Sequence, residues 1–423
     1  MPVRSLYLQE QWGIDMLDNG LDQCLKCTIC NTACPVAGEN PSFPGPKYAG
    51  PELARLIRGH QPPTENVLDY CSNCRLCELA CPSGVPITEL IRTNKQAAYR
   101  HKGLPLTNRL FARVDQLGRV AAAVAPLSNA MARARWVRPL FTRLGISNGR
   151  PLPVYHRQTF KAWFSKRPVR PAPKKIAYFV GCYANYNEPE VAKATVEILE
   201  HNGYQVLVPE QRCCGLPALA NGDVEKARRD ALFNLEQFVP LVEQGYEIVT
   251  ACPSCALTLK RDYPETLKDR AAAKLSKHVW ELGEFLRDLA EDGGLRTDFG
   301  KVQSHLAYHL PCHTRSQSMG EPWADVLAQV PGLQVEALDA GCCGLSGTYG
   351  FKARHYDTSM AIGQRVFAAV NAVNPDAVVT ECGTCALQIN HGTGAKVVHP
   401  AILMREAYGR RESQGGKDAI TDE

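Results

Sequence analysis

Eighteen cysteines dominate the chemistry open to this 423-residue sequence. They stand at 24, 27, 30 and 34; at 71, 74, 77 and 81; at 182, 213, 214, 252 and 255; and at 312, 342, 343, 382 and 385, with none left over. In a short secreted chain so many would suggest disulfides. Here the first 30 residues lack a basic stretch followed by an apolar one, and no apolar run reaches about 18 residues. A reducing cytoplasm is the expected compartment, where clustered cysteines bind metal or move electrons.

The first two groups read CLKCTICNTACP at 24–35 and CSNCRLCELACP at 71–82. Both are CxxCxxCxxxCP. In this spacing three thiolates wrap one 4Fe–4S cubane, and the fourth crosses to the other cubane. One cubane is expected on Cys24, Cys27, Cys30 and Cys81, the other on Cys71, Cys74, Cys77 and Cys34. Pro35 and Pro82 turn the chain after the crossing cysteines. Zinc would need only two CxxC pairs and would leave the remaining cysteines and the prolines unexplained.

The other ten cysteines form two matched sets. Cys182, Cys213, Cys214, Cys252 and Cys255 recur as Cys312, Cys342, Cys343, Cys382 and Cys385, at offsets of 129 or 130 residues. Such a period marks an internal duplication. Five thiolates are too many for one zinc and one more than a cubane takes. Buried free thiols or a vicinal disulfide are the plainer alternative, which the matching of all five positions disfavours. Gly215 and Gly344 follow the paired cysteines and permit the sharp turn that aims both at one site. His309 and His313 flank Cys312, and His399 opens a helical stretch. His313 is a candidate proton carrier, against the plainer role of a packed, hydrogen-bonded histidine.

The elements that position these groups follow from the patterns between them. GPELARLIRG and TENVLDY, between the first two runs, look helical and favour a helical ferredoxin domain over a β-type one. KKIAYFV, YQVLV and YEIVTA are strand-like and alternate with EPEVAKATVEILEHNG and DVEKARRDALFNLEQFVPLVEQG, which are helical. HLAYHL, LQVEAL and DAVVTE repeat the strands. Strand–helix alternation predicts parallel sheets, with ligands at the carboxyl ends of the strands. All ten cysteines fall there. The expected architecture is therefore α/β and α multidomain. A helical two-cluster ferredoxin domain spans 1–100, and a basic helical connector spans 101–173. Two duplicated Rossmann-like domains span 174–295 and 296–423, the last with a short polar tail.

The connector region carries an unusual charge. Residues 91–170 hold seventeen Lys or Arg and one acid, Asp115, although the whole chain is only +5. Leu106, Leu110, Val114, Leu117, Ala121 and Val124 follow three- and four-residue steps, with Arg109, Arg113 and Arg119 mostly on other faces. Leu127, Met131, Trp136, Leu140, Phe141 and Leu144 are interleaved with Arg133, Arg135, Arg138 and Arg143. Basic amphipathic helices with Trp and Phe suit an anionic membrane surface. The alternatives are apolar faces packed on neighbouring domains or docked to an acidic subunit. Nucleic acid is not expected, since no recognition motif accompanies the charge.

Twin CxxCxxCxxxCP runs followed by two copies of C…CCG…CxxC resemble the heterodisulfide-reductase-type, or CCG-domain, iron–sulfur subunits. CLKCTICNTACPVAGENPSFPGPKYAGPE, GCYANYN, CCGLPALANG and CCGLSGTYGFK are similar to the branch that serves anaerobic glycerol 3-phosphate oxidation. The resemblance implies an electron-transfer subunit of a flavin-dependent dehydrogenase. Its partner would be an FAD subunit, its acceptor a membrane quinone such as menaquinone, and its place the inner face of the cell membrane, peripherally. It also implies one or two further clusters in the five-cysteine sets, each of which can hold a noncubane 4Fe–4S cluster. GLSGTYG lacks GxGxxG spacing and no P-loop occurs, so no flavin is expected on this chain. Two rival functions keep the architecture. One is disulfide or heterodisulfide reduction at the five-cysteine sets; the other is service to a glycolate or lactate oxidase.

Overall fold

The computed structural model describes residues 20–59, 61 and 65–418. Among these, the first hundred positions form helices and no strand. The two cysteine runs are built alike. Lys26 and Thr28 in one, and Asn73 and Arg75 in the other, have positive φ of 59–69°. Non-glycine residues seldom adopt this conformation. Here each pair brackets the middle cysteine, so the chain coils and brings three thiols to one side. Short helices Ile29–Thr32 and Leu76–Leu79 then lead to the crossing cysteines. The expected helix in GPELARLIRG appears as Leu53–Arg58, and that in TENVLDY as Glu65–Leu68.

Two four-stranded parallel sheets follow. The first holds β1 (Lys174–Tyr178), β2 (Tyr204–Leu207), β3 (Glu247–Thr250) and β4 (Val279–Glu281), in the order β2-β1-β3-β4. The second holds β5 (Ser304–Tyr308), β6 (Leu333–Ala337), β7 (Ala377–Val379) and β8 (Val397–Val398), in the order β6-β5-β7-β8. The registers correspond: Ile176 faces Val206 and Glu247, while Leu306 faces Val335 and Ala377. The edge strands β4 and β8 are additions to the three strands per copy read from the sequence. They are two or three residues long and do not keep the offset of the cysteines.

The two sheets share one core. Tyr178, Leu199 and Leu286 belong to the same buried cluster as Tyr308, Trp323, Val326 and Met404. Helix Leu282–Glu291, which closes the first copy, packs on Pro322–Leu327 of the second. Helix Pro400–Asp418, which closes the second, packs on Pro189–His201 of the first. Tyr408 donates to the Arg296 carbonyl at 2.7 Å and accepts from Asn202 at 3.2 Å. Each half thus completes the other.

The connector is a series of short helices, Leu106–Phe111, Val114–Ala123, Ala125–Arg133 and Arg138–Arg143. Most of its large apolar side chains face outward. Leu106, Leu117, Val120, Val124, Leu127, Met131, Trp136 and Leu140 are exposed, Trp136 by 78%. Leu110, Val114, Phe141 and Leu144 are half-buried, so the packing alternative holds for part of the stripe only. Small residues, Gly118, Ala122 and Ala125, are buried instead. A Cβ on Gly118 would lie 2.7 Å from the Tyr186 ring, so only glycine lets the connector approach the first sheet domain there. Asn108 is fully buried and donates to Asp69 and to the Asn221 carbonyl, both at 3.2 Å, while Lys352 donates to its amide oxygen at 2.8 Å. One connector side chain therefore ties three regions together.

Glu281 lies at the junction of the halves. It caps helix Leu282–Glu291 through Gly283 N–H at 2.7 Å and accepts from Trp323 Nε1 at 3.2 Å. Burial raises its pKa to about 7. A carboxyl raised on folding stabilises the fold below its unfolded value, and that contribution disappears as pH rises through the folded value. Stability is therefore expected to fall between about pH 4 and pH 7. Glu281→Gln keeps one of the two acceptor oxygens, removes the titration and should flatten part of that slope in urea unfolding measured across pH. An unchanged slope would place the titration elsewhere.

Candidate metal centres

The two ferredoxin runs converge as the crossing pattern requires. Cys24, Cys27, Cys30 and Cys81 line one small cavity. Cys34, Cys71, Cys74 and Cys77 line another. Burial raises the Cys30 thiol to about 11, and Cys24, Cys81 and Cys27 add repulsion. Cys34 is likewise pushed up to about 11, by burial first and with repulsion from Cys71. Cys74 and Cys77 are driven higher still by burial. Four crowded sulfurs that resist ionisation alone are a donor set that a cationic cluster can take as thiolates. Both foursomes fit a cubane.

The ten remaining cysteines form two five-membered sets. The thiols run in contact from Cys182 through Cys213, Cys214 and Cys255 to Cys252. The second set runs from Cys312 through Cys342, Cys343 and Cys385 to Cys382, with Cys343 and Cys385 sulfurs 3.2 Å apart. Cys252 and Cys382 immediately precede helices Pro253–Leu257 and Gly383–Thr393, whose first turns offer N–H groups. Gly215 and Gly344 have φ of 93° and 88°, the conformation that the paired cysteines need. The first member of each pair is favoured as thiolate. Cys213 is held down by thiols of Cys182 and Cys214, and Cys342 by those of Cys312 and Cys343. Cys382 is lowered to about 6, first by the Cys385 thiol.

His313, the candidate proton carrier, has both ring nitrogens engaged. Nε2 lies 3.1 Å from the Asn73 carbonyl and Nδ1 lies 2.7 Å from Ser254 Oγ. A carbonyl only accepts, so Nε2 carries the proton and Nδ1 accepts from the serine. Asn73 lies between Cys71 and Cys74, and Ser254 lies between Cys252 and Cys255. His313 therefore joins the second ferredoxin loop to both five-cysteine sets. Its counterpart Tyr183 crosses the other way, with its hydroxyl 3.4 Å from the Gly383 carbonyl. A Cβ on Gly383 would lie 2.1 Å from the Tyr183 ring. His399 Nε2 lies 3.1 Å from the Ala251 carbonyl and donates to it by the same reasoning.

Arg75 was not marked by spacing or composition. It is 1% exposed and meets Glu78 at 2.7 Å, with Asp262 and Glu265 as further partners. Arg92 joins Asp262 at 2.7 Å and holds the Asn73 side chain at 2.7 Å. The positive φ of Arg75 hides its role, because arginine rarely signals a left-handed turn.

Three of the sets are neighbours. Cys30 repels Cys34, which belongs to the second foursome. Cys74 of that foursome repels Cys342 and Cys312 of the second five-cysteine set. The first five-cysteine set is joined to the ferredoxin loop through Ser254 and His313. It faces a cavity of about 410 Å³ lined by Cys182, Cys213, Arg119, Lys161, Lys226 and Asp230.

Three stretches of the chain match known protein families. Residues 20–85 match the 4Fe-4S dicluster domain family, and residues 176–260 and 306–390 each match the cysteine-rich domain family. The chain is 36% identical over 398 residues to the C subunit of anaerobic glycerol-3-phosphate dehydrogenase from Escherichia coli, covering 93% of this chain and all of that one. It is 32% identical to the B subunit of fumarate reductase (CoM/CoB) from Methanothermobacter marburgensis, over 55% of this chain and 46% of that one. Lactate utilization protein A of Bacillus cereus is 33% identical over 54% of this chain and 98% of its own length.

The crossing arrangement makes a selective prediction. Cys34→Ser should abolish or alter the EPR signal of the cluster on Cys71, Cys74 and Cys77, and spare the one on Cys24, Cys27 and Cys30. Loss of the latter alone would assign Cys34 to its own run.

Proposed function

We propose, from the premise that this chain belongs to the family of the anaerobic glycerol-3-phosphate dehydrogenase C subunits, that it carries electrons from an FAD subunit oxidising glycerol 3-phosphate to a membrane quinone. The observation that supports this reading is the close placement of the thiolate sets: the second foursome lies beside the first foursome and beside the second five-cysteine set, and His313 ties the ferredoxin loop at Asn73 to the first five-cysteine set at Ser254. Bound iron–sulfur clusters supply single-electron steps. The residues of this chain fix their order and surroundings. Two cubanes are assigned to the ferredoxin foursomes, and one or two further clusters, noncubane in type, to the five-cysteine sets.

Electrons enter at the first foursome. Cys27 is exposed there, and Leu25, Ile29 and Leu79 form an exposed apolar rim suited to a flavoprotein partner. They leave near Cys182. Helix Val114–Ala123 packs on Cys182–Tyr186 with one face and presents Leu117 and Val120 outward with another. Beside this apolar surface, Arg133, Arg135, Arg138 and Arg143 are exposed. Among the described residues no helix is long and apolar enough to cross a membrane. Charge and apolar exposure together support peripheral docking on the anionic inner face of the cell membrane.

A second reading rests on the completeness of both five-cysteine sets and on the polar cavity at Cys182 and Cys213: reduction of a small disulfide there. Reconstitution with the flavin subunit, glycerol 3-phosphate and a menaquinone analogue separates the two. Quinol formation that depends on this chain is the expected result. Thiol-dependent turnover without quinone reduction would favour the second reading.

Membrane docking has its own measurement. Neutralising Arg133, Arg135, Arg138 and Arg143 should weaken sedimentation with anionic vesicles by about 4 kcal/mol, roughly a thousandfold. Unchanged sedimentation would remove the arginines from the interface.

A further inference from the structure

The two sheet domains differ at one position where their backbones agree. Three residues before the first cysteine of each set stand Phe179 and His309. Phe179 N–H donates to the Val249 carbonyl and His309 N–H to the Val379 carbonyl, both at 2.9 Å. Phe179 packs on Phe238, with ring centroids 5.6 Å apart, in an apolar cluster that includes Cys213, Cys214 and Cys255. The corresponding place in the second copy holds an imidazole.

His309 is 1% exposed, and neither ring nitrogen has a hydrogen-bond partner among the described residues. Leaving a buried donor unpaired costs about 1–3 kcal/mol. One ring nitrogen and the sulfurs of Cys343 and Cys385 lie within 4.8 Å of one another. The nitrogen therefore faces the sulfur-rich site. Five thiolates already exceed what four irons of a cubane require, so a sixth protein ligand is superfluous. A hydrogen-bond donor is not.

We propose that His309 donates a ring N–H to a sulfur of the cluster held by the second five-cysteine set and thereby raises its reduction potential. A donor aimed at cluster sulfur stabilises the additional negative charge of the reduced form. His309 is a positioning and tuning residue; it neither transfers the electron nor binds substrate. The duplication supplies the reference state, because Phe179 makes the matched site in the first copy without such a donor. This inference rests on the assignment of a cluster to the second five-cysteine set.

The test uses the full chain, loaded anaerobically, in EPR-monitored redox titrations. His309→Phe copies the first domain's residue. It should lower the midpoint of the second five-cysteine cluster enough to change its reduced-to-oxidised ratio at fixed potential about tenfold, or about 59 mV for one electron. The cubane signals should stay in place. Histidine labelled with ¹⁵N should give a weak hyperfine coupling in the wild type that His309→Phe removes. An unmoved midpoint, or the strong coupling of a directly bonded nitrogen, would overturn the proposal. Phe179→His is the reciprocal variant and should raise the midpoint of the first set. If His309→Phe fails to load, an unmoved first-set midpoint in Phe179→His overturns the proposal. A wild type with no signal beyond two cubanes removes the cluster assignment itself, and the proposal with it.

Discussion

Three thiolate sets meet around one neutral imidazole. His313 donates to the backbone of the second ferredoxin loop and accepts from a serine within the first five-cysteine set, while its own chain segment carries Cys312 of the other. A protonated ring could not accept from the serine, and burial lowers the His313 pKa, which keeps the acceptor nitrogen free. Electron transfer between fixed centres needs spacing that does not drift. The buried network of Arg75, Arg92 and Asp262 acts beside this joint on the same loop. Ion pairs of this kind contribute little net stability once desolvation is counted, but their geometry is restrictive. They hold the second foursome against the first sheet domain, while Cys74 stays next to the second.

The connector shows a different division of labour. Gly118, Ala122 and Ala125 face inward while Leu117, Val120 and Val124 face out, the reverse of an ordinary surface helix. Gly118 allows close contact with Tyr186, one turn beyond Cys182. The outward face is thus coupled through a few ångströms of packed backbone to the first five-cysteine set. An exposed apolar surface and the segment that begins at Cys182 lie on opposite sides of the same helix.

The cysteines and their grouping were open to view in the sequence because sulfur spacing is governed by local chain geometry. The glycine turns at Gly215 and Gly344 were readable for the same reason. The other six strands, β1 to β3 and β5 to β7, were readable from their apolar runs. What lay hidden depended on contacts between distant segments. Asn73, Ser254 and Asp262 look like ordinary polar residues until the domains are assembled. The spacing also carried no indication that Cys74 would lie beside Cys342 and Cys312 of the second copy. The periodicity of the connector correctly marked a stripe, yet an amphipathic pattern specifies which residues share a face and not whether that face is covered. Strands β4 and β8 were too short to stand out from their surroundings.

The exchange of closing helices has a consequence for the order in which the chain matures. Helix Pro189–His201 is made early, but the segment that covers it, Pro400–Asp418, follows only after the whole second sheet. At some 5–20 residues per second, the gap is on the order of ten seconds or more. Throughout that interval the nascent first half has an uncovered apolar flank. The finished protein is therefore not two beads joined in sequence but a clasp, closed only when helix Pro400–Asp418 folds back on the first half.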